Sequence, residues 1–351
     1  MEAGPYRELV VLHEEVITKA AYSDRQVVQD ALDAVEPRLR RTYLLVLEHV
    51  RDQRTLGEWV KMVQRGDFED VIRDLERAAA ALTAEITAAY AAAGRAVTKL
   101  LARYAKKPDK LIRFDVTNMR AVAEMRAATL ERVREVTEAA RATFRQVLVR
   151  GVEEGINPRV MATRMRDSLG LTKFQERAVD NYRKLLQAGD ADALRRELRD
   201  RRFDSSTGAN LTSDAARADF FDRPTPRRPL TAAQVDRMVG RYRTRFVAYR
   251  AEVIARTEAL AAVNAGTEEA YRQAAELGVL DLKDLERTWH AGNPPRTRDS
   301  HHAMRGQKRL FGKHFTSGAG YPLRYPGDPQ APGKERIQCR CVVSTRFRSE
   351  E

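Results

Sequence analysis

The sequence has few cysteines, few aromatic residues and no long apolar run, and each shortage narrows the class of protein. Two cysteines among 351 residues are too few for a disulfide scaffold. No uncharged stretch approaches the roughly 20 residues that span a bilayer. The opening residues, MEAGPYRELVVLHEEV, carry acids where a signal peptide needs an apolar run. We therefore expect a soluble protein, with no membrane partner, that folds in a reducing cytoplasm.

The remaining composition is that of a helical globular protein. Hydrophobic residues make up 43% of the chain and charged residues 32%, whereas aromatic residues make up only 7%. Alanine, arginine, glutamate and leucine dominate many windows, which favours helices. A chain of this length is too long for a single core, so we expect two or three folded units.

Residues 1–110 have the pattern of a helical N-terminal docking domain. Leu39, Tyr43, Val46 and Val50 follow helical spacing, and a second apolar stripe runs from Asp67, a plausible N-cap, without Gly or Pro to position 93. The sequence KKPD at 106–109 interrupts this pattern because Pro108 does not fit comfortably inside a helix. We place a domain boundary there.

Residues 111–278 are predicted to form a helical body. One helix is expected from about Asn118 to Glu153, and Asn157 followed by Pro158 is a strong start signal for the next. A long helix is expected to begin at the cap Thr231 and to end near Leu277. Residues 189–230 interrupt these helices with a polar and proline-rich stretch, and we expect an extended insertion there.

After Gly278 the composition changes to glycine, proline, aromatic and basic residues with little helical period. The segments ERTWHA and RIQCRCVVSTRF are predicted as short strands, which makes 279–351 a small α+β module. The fold class expected for the whole chain is therefore mainly α, with long-helix N-terminal and central bundles and this module at the C-terminal end.

Positive charge is in excess, and it is unevenly distributed. Lys+Arg 63 against Asp+Glu 50 gives a net charge of +13, of which residues 1–110 contribute nothing. Such a surface attracts nucleic acid or acidic proteins, although a solvated arginine-rich face has the same composition. The candidate contacts are Arg227, Arg228, Arg241 and Arg245.

Four of the six histidines and both cysteines lie within the last 62 residues. In a strand, Cys339 and Cys341 would point to the same face, where two thiolates together with His301 and His302 could bind one zinc ion. Zinc would stabilise a module too small to rely on apolar burial. Two alternatives stay open: the cysteines are ordinary core residues, or they carry redox or catalytic thiol chemistry.

Several segments together resemble the phage head morphogenesis family of Mu F-like minor head (minor capsid) proteins. The segments FDVTNMRAV, GVEEGINPRVMATRM and GLTKFQERAVDNYRKLL are similar to the family pattern, as is IARTEALAAVNAG, which contains Arg256, Thr257 and Glu258. The densest resemblance is an ordered series near the C-terminus. This series consists of Trp289, Arg298, Ser300, His301, Gly306, Tyr325, Pro326, Cys339, Arg340 and Cys341. The resemblance runs from about 113 to 346.

The resemblance implies a virion protein made in the host bacterial cytoplasm, which acts in head assembly at or near the portal vertex. The implied partners are the portal protein, a capsid or scaffold protein and double-stranded DNA. The residues of the series, with Arg256, Glu258 and Arg340, are expected to hold the fold together rather than to catalyse a reaction, so we expect no enzyme. The alternative is a metal-dependent hydrolase or transferase carried by the C-terminal module.

Overall fold

The computed structural model describes residues 24–102, 113–190, 193, 230–292 and 297–347. The predicted insertion, apart from positions 189, 190, 193 and 230, lies outside these residues, and so do Arg227 and Arg228. The helices, in chain order, are α1 (Asp24–Asp52), α2 (Leu56–Arg65), α3 (Glu69–Leu101), α4 (Met119–Glu153), α5 (Pro158–Ser168), α6 (Lys173–Gln187), α7 (Ala232–Glu276), α8 (Asp299–His302) and α9 (Gly333–Arg336). The strands are β1 (Leu285–His290), β2 (Lys308–Leu310), β3 (Phe315–Thr316), β4 (Pro322–Leu323) and β5 (Val342–Phe347).

The predicted fold class is confirmed: long helices are followed by a small module of antiparallel strands. Local signals set several helix boundaries. Helix α2 begins with a capping box between Thr55 and Glu58, and α5 begins at Pro158 after the cap Asn157. Among the described residues, no helix combines the length and the apolarity needed to cross a membrane.

The chain forms two compact units, each built from separated stretches of sequence. The first consists of Met1–Val50, Arg73–Glu135 and Ala251–Glu351, and the second consists of Arg51–Ile72 and Val136–Arg250. This division follows packing rather than chain order. The three sequence domains 1–110, 111–278 and 279–351 stay a prediction.

The second unit has an apolar core and a buried ion pair. Tyr182 of α6 stacks at a tilt on Tyr242 of α7, with ring centroids 4.6 Å apart. The Arg243 guanidinium lies 3.3 Å from the carboxylate of Glu176, and both side chains are almost fully buried. Such a pair is tolerated because each charge satisfies the other in a region that excludes water.

In the first unit the small sheet packs on the long helices. Leu285 of β1 and Phe311, just after β2, share one apolar cluster with Val97 of α3 and Tyr271 of α7. The sheet has the order β2-β1-β5, with both neighbours antiparallel to β1. Burial against the helices gives this short sheet a hydrophobic face, which three strands need in order to be stable.

One strand prediction needs correction. The structure has strands over Leu285–His290 and Val342–Phe347, but Cys339 and Cys341 precede β5 and are not part of it. The pairing register explains the difference, because His290, the last residue of β1, pairs with Val342. Among the described residues β1 does not continue past that pair, so the ladder starts at Val342, after the cysteines.

The first described residue, Asp24, is a buried carboxyl group at the start of α1. Its Oδ2 accepts a hydrogen bond of 2.6 Å from the Thr345 N–H and one of 3.1 Å from the Tyr271 hydroxyl. Burial raises the pKa of this carboxyl to about 6, although both hydrogen bonds oppose the rise. The folded protein therefore retains a proton that the unfolded chain loses near pH 4.

Replacement of Asp24 by asparagine should remove a pH-dependent loss of stability. The pKa of the Asp24 carboxyl is higher in the folded protein than in the unfolded chain. The wild-type carboxyl therefore destabilises the folded state as pH rises from about 4 to about 6. Two pKa units correspond to roughly 3 kcal/mol. Urea unfolding of both proteins between pH 4 and 8 would measure this, and we expect Asp24→Asn to gain relative stability across that window. A constant difference at every pH would contradict the assignment.

Candidate metal centre

Two short segments of the C-terminal module bring together one histidine and two cysteines. His301 lies in the single helical turn α8, and Cys339 and Cys341 follow α9. Just before the cysteines, Gln338 adopts a left-handed backbone with φ of 58°, which turns the chain sharply. The Gln338 N–H donates to Thr257 Oγ1 on α7 at 3.3 Å, so the long helix anchors this turn.

The three side chains meet at one ring nitrogen. His301 Nδ1 lies 3.4 Å from Cys339 Sγ and 3.5 Å from Cys341 Sγ. All three residues are at least nine-tenths buried, and both cysteines are free thiols. Among the described residues they form one group whose candidate ligand atoms all lie within 4.8 Å of one another. This group is the candidate metal centre.

A carboxylate orients the histidine from the opposite side. His301 Nε2 lies 2.9 Å from Oε2 of Glu335, which is itself buried on α9. The Ser300 hydroxyl donates to the same oxygen at 3.0 Å. When Nε2 carries the imidazole proton, Nδ1 presents its lone pair to the two sulfur atoms. A carboxylate beside the second ring nitrogen is common for a metal-ligating histidine, although Nε2 makes no hydrogen bond in this structure.

Aromatic packing holds the imidazole in place. The Trp289 ring is fully buried, and its centroid lies 5.4 Å from that of His301 in an edge-to-face arrangement. Phe315 packs on the other part of the indole at 5.2 Å. The structure therefore brings Trp289, His301 and both cysteines together, although no sequence period relates them.

The pKa values of the two thiols shift in opposite directions. Contacts from Cys339 and, less strongly, from His301 lower the pKa of the Cys341 thiol. The same contact with Cys341, together with complete burial, raises the pKa of the Cys339 thiol. Backbone groups also reach the sulfur atoms, because Gly292 hydrogen-bonds to Cys341 and the Cys341 N–H points at Cys339 Sγ at 3.5 Å. Such donors favour thiolate.

The second predicted histidine ligand lies elsewhere. His302 is exposed and is not a member of the three-residue group. It follows His301 directly on α8, and neighbours on a helix point in different directions. Of the four predicted ligands, the structure therefore brings three together: His301, Cys339 and Cys341.

A crevice borders the cysteines. It has a volume of about 270 Å³, and one wall is made by Cys339, Arg340 and Cys341. The opposite wall comes from α1 and includes Asp33 and Glu36. The site is thus buried on its histidine side and bordered by a polar crevice on its sulfur side.

The other motif residues of the module contact its backbone. Both terminal nitrogens of Arg298 donate to carbonyl oxygens, those of Lys334 and Ile337. Gly306 has φ of 75° and donates its N–H to Trp289 O at 2.9 Å, which closes the turn after α8. Arg298 thus holds the segment around α9 in place through backbone carbonyls.

The side chains of the Arg-Thr-Glu sequence in α7 point in different directions. Arg256 hydrogen-bonds to Glu36 of α1, whereas its neighbour Thr257 receives the bond that anchors the cysteine turn. Glu258 is buried, and Arg340 is partly buried beside Gly292 in the crevice wall. These contacts join the part of α7 that belongs to the first unit to α1 and to the cysteine turn.

The arginines predicted to contact nucleic acid or an acidic partner lie on a different stretch of α7. Arg241 and Arg245 are exposed, and Arg237 precedes them at the same four-residue interval. Residues at this spacing share one helix face, so the three side chains form an arginine stripe.

Sequence reasoning missed two buried residues of the module. Glu335 contacts His301, and Arg287 of β1 donates to the carbonyl oxygens of Lys313 and Arg324. A carboxylate four positions before Cys339 was a visible signal for the first. No local pattern marks Arg287, because its partners lie 26 and 37 residues away.

Comparisons with known proteins connect part of the chain with a protein family. No curated protein and no solved structure matches the chain significantly. One family model matches about a third of the chain, and this stretch contains the arginine stripe, the Arg-Thr-Glu sequence and the whole candidate metal centre. The resemblance between positions 113 and 228 lies outside the match and stays a prediction. Residues 229–344 match the family described as Phage Mu protein F like protein, which confirms the resemblance over this segment and supports a phage head-related protein.

Proposed function

We propose that the chain is a minor head protein of a tailed phage that acts in head assembly at or near the portal vertex. The observation that carries this proposal is the family match over residues 229–344. The partners would be the portal protein and a capsid or scaffold protein. In this proposal the chain is a virion component that is made in the bacterial cytoplasm.

The contacts of the motif residues support an assembly role. Arg298 braces backbone carbonyls, Gly306 closes a turn, and Trp289 is a fully buried anchor. Each of these contacts stabilises the module, and none needs a substrate. A rigid module of this kind suits a protein whose task is to present a fixed surface.

Head assembly is tested by locating the chain in particles. Heads purified from the encoding phage should contain the chain at low copy number, and particle maps should place it near the portal. Deletion of its gene should reduce the yield of DNA-filled heads, and the intact gene in trans should restore it. A chain absent from purified heads, together with normal heads after deletion, would refute the proposal.

The arginine stripe supports contact with packaged DNA as a finer part of the proposal. Arg237, Arg241 and Arg245 are exposed on one helical face. Arginines that neutralise phosphates release counterions, so binding to DNA weakens steeply with salt. Arg227 and Arg228, which lie outside the described residues, stay predicted contacts on the ground of sequence alone.

Binding of double-stranded DNA by the whole chain should therefore depend on salt and little on sequence. The double variant Arg241→Gln, Arg245→Gln should lower the slope of log affinity against log salt by roughly 2, one for each lost phosphate contact. Arg95→Gln, at an exposed position of α3, is the control and should change the slope little. A flat salt response would instead indicate an acidic protein partner for the stripe.

A second candidate function is a metal-dependent hydrolase or transferase. The crevice beside Cys339 and Cys341 is the observation that favours it, because a catalytic zinc ion needs a coordination position open to substrate. Hydrolysis or group transfer that requires the bound metal, and that is lost with Glu335→Gln, would support this function over a purely structural one.

A further inference from the structure

We propose that His301 Nδ1, Cys339 Sγ and Cys341 Sγ bind one Zn²⁺ ion, with Glu335 as the outer partner of the histidine and the fourth coordination position open to the crevice. The inference does not depend on the proposed role in head assembly. It names the metal, one ligand atom from each of three residues, and a site with one coordination position open to solvent.

The first argument is the separation of the ligand atoms. With Zn–S near 2.3 Å and Zn–N near 2.0–2.1 Å, tetrahedral angles place a nitrogen and a sulfur ligand about 3.6 Å apart. The two N···S separations here are 3.4 and 3.5 Å. Both differ from the tetrahedral value by about 0.2 Å or less, so each sulfur can share one tetrahedral ion with the imidazole after only a small adjustment.

The second argument is that hydrogen bonding alone satisfies this group poorly. A neutral imidazole that carries its proton on Nε2 has a single lone pair on Nδ1, and that lone pair accepts one good hydrogen bond. Two buried sulfur atoms nevertheless converge on it. A cation at the point where all three meet would interact with the imidazole lone pair and both thiolates simultaneously.

The third argument is the outer partner. A metal-ligating histidine almost always donates its other ring N–H to a carboxylate, a carbonyl or water. Glu335 Oε2 lies beside Nε2 at 2.9 Å, in ion-pair contact but outside hydrogen-bond geometry, and the Ser300 hydroxyl donates to the same oxygen. A buried carboxylate that served only packing would be costly at this position.

The donor set selects the metal. Two thiolates and one imidazole are soft and borderline ligands, which suit Zn²⁺ and disfavour Mg²⁺ or Ca²⁺. Three protein ligands are one fewer than in closed structural zinc sites. Because both cysteines line the crevice and His302 is exposed elsewhere, a solvent molecule in the crevice is the natural fourth ligand.

Zinc titration of the metal-free full-length chain, competed against a chromophoric chelator, tests the ligand set. Wild-type protein should bind one equivalent. Glu335→Gln should bind one equivalent with an affinity lower by about 10- to 100-fold. His302→Ala is the matched control, an adjacent and exposed histidine, and its affinity should equal that of wild type. The double variant Cys339→Ser, Cys341→Ser should lose binding.

Wild-type protein that takes up no Zn²⁺, or a loss in His302→Ala equal to that in Glu335→Gln, would overturn the site.

Cobalt substitution of the wild-type chain tests geometry without any variant. Co²⁺ should give intense visible bands typical of tetrahedral coordination and a near-ultraviolet thiolate-to-metal charge-transfer band. Added azide should shift the visible bands, because it can replace solvent at an open position. Weak octahedral bands would overturn the tetrahedral assignment, and bands unaffected by azide would overturn the open fourth position.

Discussion

Replacement of Gly266 by alanine should lower the free energy of unfolding by about 3 kcal/mol, the upper part of the range for overpacking. Gly266 lies inside α7, where alanine would normally stabilise a helix. A Cβ atom built there would lie 2.2 Å from the carbonyl oxygen of Tyr90 on α3 and 3.0 Å from its carbonyl carbon. A backbone oxygen cannot rotate away as a side chain can, so α3 and α7 would have to separate.

The same helix offers a matched control. A Cβ atom at Gly240 would meet nothing within 4 Å, so Gly240→Ala should gain about 0.5–1 kcal/mol from helix propensity alone. Urea unfolding followed by circular dichroism at 222 nm would compare both variants with wild type. Equal stabilisation by the two substitutions would show that α3 does not approach α7 at Gly266 as closely as the structure indicates.

Helix boundaries could be predicted because their causes are local. Asn157 and Pro158 start a helix through a side-chain cap and a preset backbone angle, both readable from adjacent residues. The stripe from Leu39 to Val50 is buried as its spacing predicts. The role of Gly266 was not readable, because it depends on a carbonyl 176 positions earlier in the chain.

The candidate metal centre was predictable in part. A cluster of histidines and cysteines near one end of the sequence indicated metal chemistry, and three of the four named residues meet. Which of two adjacent histidines points inward is set by the turn α8 and by Glu335, neither of which composition reveals. The start of β5 likewise depends on where β1 ends.

The small size of the C-terminal module explains why it would need a metal in addition to apolar packing. The module between β1 and β5 is short, and its sheets have only two or three strands. A small sheet gains stability from packing on a helix or from a metal, and this module has the first and is proposed to have the second. Removal of zinc should then loosen the module while the helices of the second unit retain their own core.

The second large effect is expected at Arg287, whose guanidinium is buried at the centre of the module. Its terminal nitrogens donate to Lys313 O at 2.6 Å and to Arg324 O at 3.0 Å. One of them lies 3.5 Å from a carboxylate oxygen of the buried Glu268. The rings of Phe311 and Phe315 lie 5.2 and 5.3 Å from the guanidinium carbon. One planar cation thus contacts three separate segments of the chain, at Glu268, Lys313 and Arg324.

Arg287→Ala should destabilise the protein by about 3–5 kcal/mol, because it leaves two part-buried carbonyl oxygens without their donor and removes a cation that pairs with the buried Glu268. Arg287→Lys should recover little of this loss, since a compact ammonium cannot form the same fork or stack on the two rings. Lys308→Ala, which removes an exposed ion pair with Glu286 between β1 and β2, is the control and should cost at most about 1 kcal/mol. Urea unfolding curves of the three variants would decide the matter. Full stability of Arg287→Lys would show that charge alone, and not the planar fork, holds the three segments together.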